Sequence, residues 1–139
     1  MTWKMKMTEE IKLLRVGYNG YKLTDQYRDK LLRIIYPIHP DVVAHHVTHE
    51  YGVWESLPPA ANSVRMIAIA ANDKVQAAIV EVNGEVERLH GNSFYHITIS
   101  IDKSAGGKAV DSNTLIKDRS NWVAIAPVLL AVIPTFFNF

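Results

Sequence analysis

The stretch Ser93-Phe94-Tyr95-His96-Ile97-Thr98-Ile99-Ser100-Ile101 alternates in polarity and is the clearest strand in the chain. Successive side chains on a strand point to opposite faces. His96 and Thr98 therefore share one face, and Ile97 and Ile99 point the other way, into a core. Toward the N-terminus, residues 64–71 and 75–82 are two strand-like runs joined by Asn72-Asp73, a hairpin signal. Asn83-Gly84 marks a further turn into a short run at 85–89, and residues 42–51 are rich in β-formers and read as one strand. Residues 16–23 (VGYNGYKL) read as a short strand carrying two glycines. One helix is predicted at 25–36: Thr24 is its N-cap, Asp25 sits in the first turn, Arg33 lies near the end, and Pro37 and Pro40 stop it. Gly106-Gly107 lies in a loop, and residues 111–118 read as a short helix or loop. The apolar run 123–133 is interrupted by Pro127 and falls short of the roughly 20 residues a bilayer needs. It reads as a buried strand or strand pair. The sum is an α+β fold, mainly antiparallel strands with few helices, in a single domain over residues 1–139.

Composition bounds the function. The chain has 139 residues, 48% hydrophobic and 21% charged, which is globular rather than disordered composition. It has no cysteine, which excludes disulfides and thiolate chemistry and suits a cytoplasmic protein. The opening MTWKMKMTEEIKLL lacks an apolar core long enough for a signal peptide. The net charge of +1 divides unevenly: residues 1–33 hold eight Lys/Arg and four Asp/Glu, and the remainder seven and ten. A solvated face is the simpler reading of the basic third. A protein gripping long nucleic acid through many phosphates is usually more basic, so a small phosphate-bearing ligand fits this balance better. No membrane partner is expected, and the oligomeric state is open.

A second segment repeats the pattern of the first. Ala44-His45-His46-Val47-Thr48-His49 holds His-apolar-Thr, as does Tyr95-His96-Ile97-Thr98 50 positions on. In a strand, His46 and Thr48 share a face while Val47 points to the core. One such triplet occurs by chance; two copies, both in strand-like context, carry more weight. Phosphodiester cleavage by internal attack needs one group to take the proton of the attacking hydroxyl and another to protonate the leaving oxygen. Imidazole suits both roles, since its pKa of about 6.5 lies near working pH. Threonine hydroxyls can hold the nonbridging oxygens as charge builds there. His46, Thr48, His96 and Thr98 form a complete set that calls for no cofactor and no metal.

The paired motifs His46-Val47-Thr48 and His96-Ile97-Thr98 resemble the signature of the two-histidine (2H) phosphoesterase superfamily. The stretches GYNGYKLTDQYRDKLL, HPDVVAHHVTHEYGV and YHITISIDKSAGGKAVDSN are most similar to the phage anti-CBASS nucleases, over roughly residues 17–122. The resemblance implies motifs on facing central strands around a cleft. It implies metal-independent cleavage of 3′–5′ linkages in cyclic di- and oligonucleotide immune signals, by attack of a ribose 2′-hydroxyl, with one histidine as base and the other as acid. The competing readings are a superfamily enzyme acting on RNA ends or 2′,3′-cyclic phosphates, and a binding protein that sequesters the nucleotide uncleaved.

A cyclic oligonucleotide needs stacking surfaces for its bases. Tyr18, Tyr21, Trp54 and Trp122 lie in glycine-containing or loop contexts, and Tyr18 and Trp122, at the edges of their apolar segments, are the preferred substrate-binding residues. His45 and His49 have a helical metal-ligand spacing, but in a strand both lie opposite His46 and read as core or supporting histidines. His39 and His90 are expected at the surface.

Overall fold

A computed structural model describes residues 15–88 and 93–139. Its elements are β1 (Val16–Leu23), α1 (Asp25–Ile34), β2 (Asp41–Val42), β3 (His46–Trp54), β4 (Val64–Ala71), β5 (Val75–Val82), β6 (His96–Ile101), α2 (Asp111–Lys117), β7 (Val123–Leu129) and β8 (Val132–Asn138). The fold is α+β. Strands pair antiparallel in a three-stranded sheet, β3-β1-β8, and a five-stranded sheet, β2-β6-β5-β4-β7.

Local chemistry accounts for most of the boundaries. Thr24 Oγ1 accepts the Tyr27 N–H at 3.3 Å and caps α1. The helix ends at Ile34, short of the expected 36, because Pro37 disfavours helical backbone at the residue before it. Asn72 Oδ1 accepts the N–H groups of Lys74 (2.9 Å) and Val75 (3.0 Å), closing the β4–β5 turn.

Residues 42–51 are not one strand. β2 ends at Val42 and β3 begins at His46. Between them the N–H groups of Val43 and Ala44 bond the carbonyls of Ile99 and Thr98 on β6 (2.8 and 2.9 Å), whereas the His45 carbonyl accepts the N–H of Leu23 on β1 (3.0 Å). Within three residues the chain leaves one sheet and joins the other. The turn is made at Ala44, fully buried and at φ 43°, a conformation a non-glycine residue rarely adopts. Arg28 of α1 fastens it: Nε donates to the Ala44 carbonyl (3.0 Å) and Nη2 to the Val43 carbonyl (3.3 Å). Both would otherwise be carbonyls short of partners at a chain crossing.

The C-terminal run also divides, which corrects the expectation of a buried strand pair. β7 pairs with β4 and β8 with β1, so its halves belong to different sheets. The crossing lies at Leu130 and Ala131, bonded to Val64 and Thr24 respectively. Among the described residues both strands are sheet edges, and Val123, Leu129 and Ile133 are more than half exposed. Pro127 and Pro134, which cannot donate to a ladder, are tolerated on such edges.

The main core gathers Tyr21, Leu31, Val47, Val80, Ile97 and Ile99. A second cluster, including Ala77, Ile79, Leu115 and Ile116, lies under α2. β1 runs between β3 and β8, and a Cβ on Gly20 would sit 2.1 Å from the Val47 carbonyl oxygen. That atom is backbone and cannot swing aside. Gly20→Ala is therefore expected to lower stability by about 1–3 kcal/mol, read as a reduced urea midpoint; an unchanged midpoint would show that β1 and β3 do not approach this closely. No helix among the described residues is long and apolar enough to cross a membrane.

Candidate active site

The alternation read from sequence holds at both motifs. On β3, Val47 and His49 are buried while His46 and Thr48 lie on the opposite face. On β6, Ile97 and Ile99 are fully buried in the main core, and His96 and Thr98 share the other face. Because the crossing at Ala44 bonds directly to Thr98, the start of β3 lies beside β6. All four motif side chains consequently line one cavity of about 640 Å³. Among the described residues β3 is the edge strand of its sheet rather than a central one; β6 is flanked on both sides, although β2 covers only two of its residues.

The two histidines differ in what holds them. Nδ1 of His96 lies 2.9 Å from the Phe94 carbonyl oxygen. A carbonyl only accepts, so Nδ1 carries the proton and Nε2 is left for other chemistry. Burial lowers the pKa of His96, the Phe94 bond opposes that shift, and the Arg88 charge adds to it. His46 is lowered to about 4, first by burial and then by His45 and His96. Thr98 is nearly buried, with its hydroxyl 2.8 Å from that of Ser112 on α2. With Ser112 donating to it, the Thr98 hydroxyl donates to the Ala109 carbonyl at 3.4 Å. Thr48 is half-buried and lines the cavity.

Tyr18 also lines the cavity, stacked on Phe137 (centroids 4.9 Å, 19°) and on Tyr51 (5.9 Å, 19°), with the His46 ring 5.5 Å away. Trp122 does not line it. Its indole N–H donates to the Ile116 carbonyl (2.8 Å), and its ring packs edge-on against Phe94 beneath Arg119. It packs against the second core, away from the wall that holds the motif residues. Tyr21 is core and Trp54 is half exposed at the end of β3.

Two lining residues carried no sequence signal. Tyr51 stays on the cavity side because β1 and β3 shift register between Gly17 and Tyr18 and again between Asn19 and Gly20. Arg88 brings a guanidinium to the wall, and its buried Nε has no hydrogen-bond partner among the described residues. A lone arginine after a turn reads from sequence as a surface charge.

The other histidines divide. His49 is buried, its Nδ1 2.9 Å from the Tyr95 hydroxyl, so it supports the core. His45 precedes β3 and is not opposite His46, as a continuous strand would place it: their Nδ1 atoms are 3.0 Å apart. His39 is half-buried rather than exposed, with Nε2 2.8 Å from the Asn72 carbonyl oxygen. His90, the Gly91-Asn92 turn and the N-terminal segment 1–14 lie outside the described residues. Compared with protein-family models, curated proteins and solved structures, the chain matches none of them.

Proposed function

We propose that the protein is a metal-independent phosphodiesterase that opens cyclic di- or oligonucleotides at a 3′–5′ linkage. The observation that carries this reading is the convergence of two His-x-Thr pairs, from two sheets, in one cavity. The cavity volume lies within the ordinary range for small-ligand sites, roughly 300–1,000 Å³. Tyr18 and Tyr51 offer aromatic surface for a base, and Arg88 offers a cation for phosphate.

In this mechanism His46 is the base. At a pKa of about 4 it is neutral at working pH, so it can take the proton of the ribose 2′-hydroxyl. The 2′-oxygen attacks the adjacent phosphorus, and the bond to the 5′-oxygen breaks. His96 is the acid and protonates that oxygen; burial lowers its pKa, and the Nδ1–H bond to the Phe94 carbonyl works against that shift, toward the imidazolium form it must start from. The products are a 2′,3′-cyclic phosphate and a free 5′-hydroxyl. Thr48 and Thr98 donate to the nonbridging oxygens, Thr98 by exchanging its long bond to the Ala109 carbonyl for one to the phosphate while Ser112 holds its oxygen. The similarity to the anti-CBASS branch points to nucleotide immune signals as the substrate class.

The test is incubation of the protein with a panel of cyclic di- and trinucleotides in excess EDTA, followed by mass spectrometry. A linear oligonucleotide ending in a 2′,3′-cyclic phosphate serves as the comparison substrate. Ring opening without metal is the expected result. Intact rings recovered bound to the protein would make it a sequestering protein, and turnover restored only by zinc or manganese would overturn the mechanism. Thr48→Val and Thr98→Val are each expected to lower kcat about 10²-fold, the cost of one well-placed donor to developing charge. KM should change less, because stacking and Arg88 still hold the substrate.

A further inference from the structure

We propose that His45 is a positioning residue that fixes the ring tautomer of His46. The inference rests on the phosphodiesterase reading for its functional consequence and on the contact between the two rings, not on that reading, for the tautomer itself. Neighbouring residues on a strand point to opposite faces, yet the Nδ1 atoms of His45 and His46 lie 3.0 Å apart. The turn at Ala44 makes this possible by leaving His45 outside β3. The His45 carbonyl is held by the Leu23 N–H at 3.0 Å. Its ring meets that of His46 edge-on, with centroids 5.2 Å apart, and lies 5.7 Å from the ring of Phe137 on β8.

Two nitrogens at this distance share one proton between them, so one donates and the other accepts. Burial, and then the charges of Lys22 on β1 and Arg28 on α1, keep His45 neutral, so it can enter the pair as the acceptor. A neutral His45 carrying its proton on Nε2, toward solvent, offers the Nδ1 lone pair. His46 then donates from Nδ1, which leaves the lone pair of its own Nε2 free to act as base. When His46 takes up the substrate proton, the same bond becomes charge-assisted and stronger. Without His45, a solvated neutral imidazole tends to carry its proton on Nε2, the wrong nitrogen for a base in this cavity.

The experiment is ¹⁵N NMR of ring-labelled protein near pH 7, which reads the tautomer directly and needs no substrate. Wild type is expected to show His46 protonated at Nδ1. His45→Ala should move the proton to Nε2 and lower kcat about tenfold, the equivalent of about 1.4 kcal/mol or one neutral hydrogen bond. His45→Asn, whose amide oxygen can accept from the same position and does not titrate, should restore both. An Nε2-protonated His46 in wild type, or an unchanged tautomer in His45→Ala, overturns the proposal. If the tautomer follows His45 as stated but no phosphodiester is cleaved, the positioning stands and the phosphodiesterase reading fails.

Discussion

His46→Ala and His96→Ala are each expected to reduce turnover of a cyclic dinucleotide by about 10²–10⁴-fold while the protein stays folded. The reason is stoichiometric. Each histidine handles a proton that no other side chain identified in the cavity wall can handle at neutral pH; the remaining polar groups there are hydroxyls, an amide and a guanidinium. Neither ring is a main-core residue, so stability should change little compared with rate. Binding should also survive better than rate, since Tyr18, Tyr51 and Arg88 remain. The profile of kcat/KM against pH is expected to be a bell. One limb lies near 4, where His46 gains a proton, and the other, set by His96, lies below 6.5 because burial lowers its pKa. The reactive form holds neutral His46 and charged His96. A phosphodiester bound between the rings favours their charged forms and should move both limbs of the kcat profile upward. Near-normal turnover in either variant, or a profile that rises with pH and never falls, would contradict the acid–base pair.

Thermodynamic stability should fall steeply as pH drops from 6.5 to 4, and His46 should account for on the order of 3 kcal/mol of that fall. His46 has its pKa lowered from 6.5 to about 4 in the folded state. Within that window the unfolded chain binds a proton that the folded protein refuses. Stability is therefore fully present above 6.5 and is lost progressively as pH approaches 4. His96 is shifted in the same direction by its own burial and adds to the effect. The measurement is urea unfolding at a series of pH values for wild type, His46→Gln and the double variant His46→Gln/His96→Gln. Carboxylates titrate at the lower end of this window in every variant, so the difference between curves is the quantity of interest. The curves should diverge from wild type as the acid side is entered, the double variant being flattest. Parallel curves would mean that the rings are well solvated in the folded protein.

The residues that carry the site were largely legible because their signals are local. Strand periodicity placed His46 with Thr48 and His96 with Thr98, and put Val47, Ile97 and Ile99 on the buried side. Thr24, Pro37 and Asn72 mark their helix and turn by chemistry contained within a few residues. Tyr18 stood out by its place at the edge of an apolar segment beside glycines. Trp122 showed the same local signs, yet its indole N–H is taken by Ile116 and its ring by Phe94. An aromatic in a loop looks the same in sequence whether it faces a ligand or plugs a core.

Sequence by itself determined the first helix and the central strands, the face each motif residue occupies, and the chemical complement of two imidazoles and two hydroxyls. These follow from side-chain alternation, helix capping and functional-group chemistry, all of which act within a few residues. Tertiary structure decided where the chain changes sheets. Residues 43–45 and 130–131 look like ordinary β-forming text, and only the partners waiting on other elements turn them into crossings: Ile99, Thr98, Leu23 and Arg28 at the first, Val64 and Thr24 at the second. Those crossings bring β3 beside β6, set His45 against His46, and split the C-terminal run into two exposed edges. Arg88 and Tyr51 also reach the cavity wall, Tyr51 through the register shifts between β1 and β3. Backbone hydrogen bonds between segments far apart in the chain leave no periodicity behind, so the assembly of the site is a property of the folded molecule.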